Sequence, residues 1–376
     1  MGIKVFSGLW VMCFYHSSMS RKFQRRTLFT KHSNGGAWKS YALYLASFLI
    51  LLYGSIFLWP VVPGQSNVTE GSSYKVKIAP QSGLSAISSQ LSEQGVSTNP
   101  LTLQIAARAL LVGSKLKPGT YLLAPRASLG NVLLQIARGD RVRESVAIIP
   151  GMTIWQLRSL IDSHPALIHQ TKGMSSKELL KAVGLSYPGD EGLFYPDTYI
   201  FDPDDSDISI YRRASQAMQK QLASAWEQKE ATSPLKTPYD LLILGSIVEK
   251  ETGRSSDRSL VAAVFVNRLK INMPLQTDPT VIYGIGPKFD GNLRKADLRK
   301  DSPYNTYMHK GLPPTPIGMP SKESLQAVMH PAKSDAIYFV ARGDGSSHFS
   351  KTLKEHENAV DQFQRKRNIT TNSNSQ

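Results

Sequence analysis

Two nearby glutamates, Glu249 and Glu251, are the strongest candidates for chemistry in this chain. At about 100° per residue, Glu251 continues the apolar stripe of a helix, whereas Glu249 lies about 200° away from it. A carboxyl group that continues an apolar stripe faces partial burial, which raises its pKa. Such a group can donate a proton near neutral pH, so Glu251 is the first candidate general acid and Glu249 the second. Periodicity alone also allows a helix end with two solvated glutamates.

The element that must position these glutamates is a predicted core helix that begins at Thr237 and ends before Gly253. Thr237 suits the N-cap, Pro238 suits the first helical position, and Asp240 adds a carboxylate to the first turn. Residues 241–248 are then mostly apolar, as expected for a buried helix. A glycine such as Gly253 is a typical helix stop. The glutamates therefore fall in the last turn of this helix.

Further sequence blocks follow the glutamate run Ser246–Thr252 in a fixed order. They are Val264–Leu269, Leu275–Gly284, Tyr304–Tyr307, Gly311–Pro314, His330–Ala332 and His348–Phe349. In this order they closely resemble the endolytic murein transglycosylases of the MltG, or YceG-like, family. The resemblance extends from about Gly192 to about Gln362, and many separate blocks in one order make it more specific than a single short motif.

The resemblance implies an enzyme that cleaves the β-1,4 bond between N-acetylmuramic acid and N-acetylglucosamine within peptidoglycan strands, leaving 1,6-anhydro ends. The family's catalytic glutamate falls on Glu251. One carboxyl group suffices, because the attacking C6 hydroxyl belongs to the substrate. Gln276, Asp278, Asn305 and Tyr307 are candidate substrate-binding residues, and each could equally be a structural hydrogen-bonding residue of a loop.

The same resemblance implies that the enzyme terminates the elongation of nascent strands, with cell-wall synthases such as penicillin-binding proteins as possible partners. No cofactor and no metal site are expected, because His330 and His348 lack the spacing of metal ligands. Two alternative functions stay open. One is a peptidoglycan-binding scaffold without catalysis, and the other is a muramidase-type hydrolase that leaves reducing ends.

The N-terminal part of the chain has the pattern of a membrane anchor. The net charge is +15, but seven of the cations precede residue 40 without any acidic residue among them, so no nucleic-acid partner is expected. Residues 40–62 carry no charge, are long enough to cross a lipid bilayer, and have aromatic residues near both ends. A cleaved signal peptide or a buried helix are the competing interpretations. The preceding cations predict a cytoplasmic N-terminus, with the bulk of the chain on the other side of the membrane. Together with the family resemblance, this implies a single-pass protein of the bacterial inner membrane with a periplasmic catalytic domain.

The only cysteine, Cys13, lies in this leader, so no disulfide is expected within the rest of the chain. Three units that each consist of a strand ending in proline, a turn and a helix then begin at Tyr74, Gly119 and Ser145. With a further helix from Pro100, residues 74–139 are predicted to form strand–helix–helix–strand, the layout of a LysM-like module. Such modules bind N-acetyl-sugar chains; the alternative is a spacer that only packs.

We therefore predict an α+β protein with one N-terminal transmembrane helix, a small LysM-like module and a mixed α+β catalytic domain. The segments are a basic leader 1–39, a transmembrane helix 40–62, a linker 63–73, a LysM-like module 74–140, a bridging region 141–190, a catalytic domain 191–366 and a disordered tail 367–376.

Four local predictions concern the second half of the chain. The acidic run 202–207 lacks the glycine and distal glutamate of an EF-hand loop, which favours a solvated turn. Ser255 or Ser256 should cap a helix over 257–270, whose Asn267 and Arg268 either bind substrate or cap their own helix. Residues 273–320 should be rich in loops. A strand over 336–341 and a helix over 354–365 should complete the fold.

Overall fold

The computed structural model describes residues 37–63, 73–251 and 253–365. The chain divides between Leu58 and Trp59 into two compact units. Most of the predicted basic leader (residues 1–36), nearly all of the linker and the whole of the predicted tail lie outside the described residues. The second unit contains both helices and short strands, which confirms the mixed α+β class.

The first unit contributes one described element, helix α1 (Ala37–Leu58). Its segment Trp38–Leu58 has a mean hydropathy of 2.0 and is long and apolar enough to cross a membrane. The predicted span reached residue 62, but the helix ends at Leu58. The helix stops before Pro60, because a proline cannot donate the next helical hydrogen bond. Pro60 lies in the second unit, where it forms a β-bridge with Ser128.

The second unit begins with the predicted strand–helix–helix–strand layout. The elements are β1 (Tyr74–Ile78), α2 (Leu84–Glu93), α3 (Pro100–Ala109) and β2 (Gly119–Leu123), followed by α4 (Leu129–Arg138). Strands β1 and β2 pair antiparallel, with Tyr74 opposite Leu123. Val76 and Tyr121 are fully buried beneath the helices, together with Leu133 of α4. The order of elements is therefore confirmed, while the assignment as a LysM-like module stays a prediction.

The next region packs around a separate hydrophobic core. Its elements are β3 (Glu144–Ala147), α5 (Ile154–Asp162), β4 (Leu167–Ile168), α6 (Ser176–Val183), β5 (Thr198–Phe201) and β6 (Asp205–Ser206). Strand β3 pairs antiparallel with β5, and β4 pairs parallel with β6. The core contains residues from Val146 to Ala214, so residues on both sides of the predicted boundary at 190/191 share it.

The remaining elements include one central helix, α8 (Pro238–Glu251), with four helices packed around it. They are α7 (Asp207–Trp226), α8 (Pro238–Glu251), α9 (Arg258–Lys270), α10 (Asp278–Ile285), α11 (Lys322–Met329), β7 (Tyr338–Ala341), β8 (Ser347–Ser350) and α12 (Leu353–Val360). Helix α8 is the predicted core helix, and every residue from Leu241 to Val248 is buried. Helices α7, α9, α10 and α11 contact it, and β7 pairs antiparallel with β8.

Two local predictions need correction. Asp257, rather than Ser255 or Ser256, occupies the N-cap position of α9. Helix α12 ends at Val360, and a separate helical turn follows over Asp361–Arg365. Residues 273–320 are rich in loops, as predicted, and contain one α-helix, α10, which starts at an Asp-Pro pair.

The acidic run 202–207 forms a turn, as predicted, but its carboxylates are not simply solvated. Asp202 lies 3.4 Å from Arg141, Asp205 lies 3.1 Å from Lys77, and Asp204 forms an ion pair with Lys75. A fourth carboxylate, on Asp207, is fully buried at the start of α7. The turn therefore connects β1 and its neighbours to the region that follows.

Candidate active site

Helix α8 begins with a reciprocal cap that fixes its first turn. The Asp240 amide donates to the Thr237 hydroxyl at 3.1 Å, and the Thr237 amide donates to the Asp240 carboxylate at 3.1 Å. The apolar middle of the helix is buried on every side, so the packing of the core fixes the position of the last turn. Both candidate glutamates lie in this last turn.

Glu249 and Glu251 point to different surroundings, as the periodicity predicts. The Glu249 carboxylate accepts the Ser321 amide at 2.8 Å and the Ser324 hydroxyl at 2.7 Å, and it also accepts the Ser321 hydroxyl. These groups form the N-terminus of α11, where a negative charge is favourable. Glu249 therefore stabilises the junction between α8 and α11.

Glu251 faces an open cleft and is half-buried. Burial raises the pKa of the Glu251 carboxyl above its ordinary value, and the nearby negative charge of Asp278 raises it further. The hydrogen bond from the Thr277 hydroxyl and the positive charge of Arg268 act in the opposite direction on this pKa. The net shift is upward, which is the shift that a proton donor near neutral pH requires.

The cleft has a volume of about 590 Å³, which is within the range typical of ligand-binding clefts. Its first wall consists of Glu251, Arg268, Gln276, Asp278 and Tyr307. Its second wall comes from β7, α12 and the turn after it, with Tyr338, Phe339, Val340, Ala341, Leu353, His356, Val360 and Gln364. Polar groups on one wall and a mainly apolar opposite wall suit a ligand with both hydroxyl groups and apolar ring faces.

Three of the four predicted substrate-binding residues line this cleft with Glu251. Gln276 is exposed and has a φ of 48°, a conformation that is uncommon for a residue with a side chain. Asp278 accepts a hydrogen bond from the Tyr307 hydroxyl at 2.6 Å. This pair connects the start of α10 to the loop that follows Asn305.

Asn305 lies elsewhere and has the structural role that the sequence left open. Its side chain is buried, and its amide group donates to the Leu298 carbonyl at 3.1 Å and the Lys300 carbonyl at 2.7 Å. Its side-chain oxygen accepts the Tyr307 amide at 3.0 Å. Asn305 thus holds the loop that carries Tyr307, and it does not line the cleft.

The side chains of Asn267 and Arg268 bind carbonyl groups of other segments instead of capping their own helix. Asn267 donates to the Ser334 carbonyl at 2.8 Å and the Ala336 carbonyl at 3.0 Å. Arg268 is buried and donates to the Ile337 carbonyl at 2.7 Å and the Leu275 carbonyl at 2.6 Å. Arg268 therefore joins the two walls of the cleft while lining it itself.

Sequence reasoning missed the second wall and the hydroxyl that contacts Glu251. Thr277 belongs to a block that marks the family resemblance, but nothing distinguishes it there from its neighbours. His356 stacks on Tyr338 with 5.2 Å between ring centroids. Burial and the nearby Arg268 lower the pKa of the His356 imidazole, which favours its neutral form.

Among the residues that the structure describes, one group of side chains is close enough to share a metal ion. Ligand atoms of Asp162, His169 and Asp207 lie within 4.8 Å of one another. The Asp207 carboxylate already accepts the amides of Gln170 and Thr171, each at 3.0 Å, at the start of α7. Its position is explained by these hydrogen bonds, so the group gives no reason to assign a metal.

Comparisons with known proteins give a consistent result. Residues 76–362 match the YceG-like family. A protein of Bacillus subtilis (strain 168) named "Endolytic murein transglycosylase" is 44% identical over 176 residues, which cover 46% of this chain and 48% of that protein. A protein of the same name from Streptococcus pneumoniae serotype 2 is 34% identical over 176 residues, covering 45% of this chain and 31% of that protein. The aligned part thus spans about half, or less, of the length of these relatives.

A crystal structure of a yceG-like protein from Listeria monocytogenes is also similar to this chain. The two sequences are 31% identical, and the match covers 76% of this chain and 98% of that one, with a TM-score of 0.49.

Proposed function

This chain belongs to the YceG-like family, and from that premise we propose that it is an endolytic lytic transglycosylase of peptidoglycan. Its substrate is the glycan strand, cut between N-acetylmuramic acid and N-acetylglucosamine at internal positions. The observation that carries the proposal is Glu251, a half-buried carboxyl group with a raised pKa at the boundary of an open cleft. Two relatives named as endolytic murein transglycosylases support the same reaction.

In the proposed reaction, Glu251 first gives its proton to the oxygen that joins the two sugars. The bond between that oxygen and C1 of the muramyl residue then breaks. The C6 hydroxyl of the same residue attacks C1 and gives its proton to the Glu251 carboxylate. No water is consumed, the product carries a 1,6-anhydro ring, and Glu251 ends the cycle protonated.

Thr277 and Arg268 act on Glu251 after it has lost its proton. The Thr277 hydroxyl donates to the carboxylate, and the Arg268 guanidinium supplies a nearby positive charge. Both stabilise the ionised form, so they favour proton transfer to the leaving oxygen. Asp278 acts in the opposite sense and keeps Glu251 protonated before the reaction. Gln276, Asp278 and Tyr307 are the proposed substrate-binding residues.

The location of the enzyme is part of the proposal. Helix α1 would anchor the chain in the inner membrane of a bacterium, with the N-terminus in the cytoplasm and the catalytic part in the periplasm. The strand–helix–helix–strand region would act as a LysM-like glycan-binding module. An anchored enzyme cuts strands close to the bilayer where synthases make them, so termination of strand elongation beside such synthases is the proposed role.

A hydrolase acting on the same bond is the second candidate, because Asp278 lines the same cleft as Glu251. Hydrolytic glycosidases use two carboxyl groups, one as acid and one as base or nucleophile. The Asp278 carboxylate already accepts a hydrogen bond from the Tyr307 hydroxyl at 2.6 Å, so one of its oxygens is occupied. This hydrogen bond favours the transglycosylase over the hydrolase.

Digestion of purified sacculi in water enriched in heavy oxygen separates the two reactions. The transglycosylase yields muropeptides that are lighter by one water and contain no heavy oxygen. A hydrolase yields reducing ends that carry heavy oxygen at C1. Incorporation of the label in all new ends would overturn the proposed function.

A further inference from the structure

A second hollow lies beside the cleft and has a different character. Its volume is about 240 Å³, below the roughly 300–1,000 Å³ of sites for drug-sized ligands, so it suits a single sugar unit. It is open to solvent and is lined by Thr153, Trp155, Gln156, Lys250, Pro279, Ile282, Tyr283, Gly286, Pro287, Phe289 and Ile317. Three aromatic rings and two prolines thus contribute to its surface.

The linings of the hollow and the cleft contain two pairs of consecutive residues. Lys250 lines the hollow, and its neighbour Glu251 lines the cleft. Pro279 lines the hollow, and its neighbour Asp278 lines the cleft. Consecutive Cα atoms are about 3.8 Å apart, so the proposed proton donor stands at the boundary between the two spaces.

The aromatic surface of the hollow consists of packed rings next to a buried carboxylate. Trp155 and Tyr283 pack with 4.8 Å between ring centroids and an interplanar angle of 31°. The Tyr283 side chain interacts electrostatically with the buried Glu191 carboxylate, which accepts the Ile154 amide at 2.9 Å. Glu191 is therefore close to both α10 and the start of α5, the elements that carry Tyr283 and Trp155. A preformed aromatic surface binds an apolar ring face with little loss of conformational entropy.

Lys250 supplies a polar group at the edge of this surface. Its ammonium group donates to the Gly151 carbonyl at 3.1 Å and the side chain stays exposed. An ammonium group has three protons to donate, so it can also reach a sugar hydroxyl or an acetamido carbonyl. An aromatic surface with a few polar groups at its edge is a common arrangement in ligand sites.

We propose that this aromatic hollow is a sugar-binding subsite for the same glycan strand, on one side of the bond that is cut. The cleft beyond Glu251 holds the strand on the other side. The inference rests on the proposed function and adds the residues that hold the second part of the strand: Trp155, Tyr283, Phe289 and Lys250. It also gives a structural reason for internal cleavage, since sugars bound on both sides of Glu251 place the cut away from strand ends.

Trp155 offers the sharpest test, since two replacements separate packing from aromatic stacking. Trp155→Leu keeps an apolar side chain over the core but removes the flat ring, while Trp155→Phe keeps a ring. Both are introduced into full-length protein that carries Glu251→Gln, so that binding is measured without cleavage. The probes are peptide-free strands of alternating N-acetylglucosamine and N-acetylmuramic acid, separated by length, with affinity measured by calorimetry.

We expect Trp155→Leu to weaken the binding of long strands about tenfold, the loss of one aromatic contact, and Trp155→Phe to restore most of it. In protein with Glu251 intact, Trp155→Leu should raise KM and leave kcat nearly unchanged, because the ring binds substrate and transition state alike. Trp226→Leu is the matched control: this tryptophan is also half-buried but lines neither space.

Unchanged affinity and KM in Trp155→Leu, with thermal unfolding as in the parent protein, would overturn the subsite. An equal loss of affinity in Trp226→Leu would also overturn it, because the effect would then be structural. Different results are expected if the proposed function itself is wrong. In that case the Glu251→Gln protein binds no strand of any length and the protein with Glu251 intact produces no cleavage, whatever residue stands at 155.

Discussion

The hydroxyl of Thr277 donates to the carboxylate of Glu251, although Thr277 occupies the N-cap position of α10. A threonine at this position ordinarily caps its own helix, and here it makes no such bond. The hydroxyl group thus fixes the orientation of the carboxyl group at the end of α8. The connection also places the start of α10, with Asp278, directly beside Glu251.

Replacing Thr277 by valine should move the alkaline fall of the cleavage rate to higher pH. The Thr277 hydroxyl lowers the pKa of Glu251 by stabilising its ionised form, so its loss raises that pKa. The acid then stays protonated to higher pH, and the alkaline fall of kcat shifts to higher pH. A rate profile across pH on purified glycan strands measures this. Thr280→Val is the control, since the Thr280 hydroxyl donates to the Thr277 carbonyl at 2.8 Å and not to Glu251.

Replacing Asp278 by asparagine should move the alkaline fall of kcat in the opposite direction, to lower pH. The negative charge of Asp278 raises the pKa of Glu251, and a neutral amide of similar shape removes that effect. Glu251 would then lose its proton at lower pH, and the alkaline fall of kcat would shift to lower pH. Opposite shifts in the Thr277 and Asp278 variants identify Glu251 as the group that titrates. Shifts of the same sign would contradict the assignment.

Glu249→Ala should lower the free energy of unfolding and leave kcat nearly unchanged. Glu249 accepts hydrogen bonds from the Ser321 amide and the Ser324 hydroxyl at the buried start of α11. Leaving these donors without an acceptor should lower the free energy of unfolding by about 1–3 kcal/mol. Chemical denaturation measures the loss, and kcat at a temperature where the variant is folded should stay near the wild-type value. Loss of kcat with unchanged stability would give Glu249 the role assigned here to Glu251.

Glu191 should make stability depend on pH. Burial raises the pKa of Glu191 from 4.5 to about 7, so between these values the folded protein holds a proton that the unfolded chain has released. The free energy of unfolding should therefore fall as pH rises from 4.5 to 7, by up to ~3 kcal/mol. Glu191→Gln cannot ionise and should flatten this dependence. Chemical denaturation at several pH values measures the free energy of unfolding of both proteins. If this free energy changes with pH in the same way in both, the prediction is contradicted.

The sequence predicted the position of Glu251 better than its surroundings. Helix period and an apolar stripe are local properties, so α8 and the different directions of Glu249 and Glu251 follow from a short stretch of residues. The family resemblance adds Gln276, Asp278 and Tyr307, and all three line the cleft. Asn305 belongs to the same kind of motif, yet its amide holds a loop, and only the folded arrangement separates these two roles.

Contacts between distant segments could not be predicted from the sequence. Tyr338 and His356 line the same cleft as Glu251, and Arg268 binds the Ile337 carbonyl at the start of β7. Trp155 packs on Tyr283, and the buried Glu191 carboxylate accepts the Ile154 amide beside this contact. None of these pairs has a periodicity or spacing that indicates the contact, since each depends on how separate helices pack.

The central claim is that Glu251 is the only carboxyl group required for cleavage. The most direct measurement is the release of 1,6-anhydro muropeptides from sacculi by the full-length protein and by its Glu251→Gln variant, with Glu249→Gln as the matched control. We expect Glu251→Gln to release none while it still binds glycan strands and unfolds like the parent protein, and Glu249→Gln to keep cleaving. Anhydro products from the Glu251→Gln variant at a rate near that of the wild type would contradict the account.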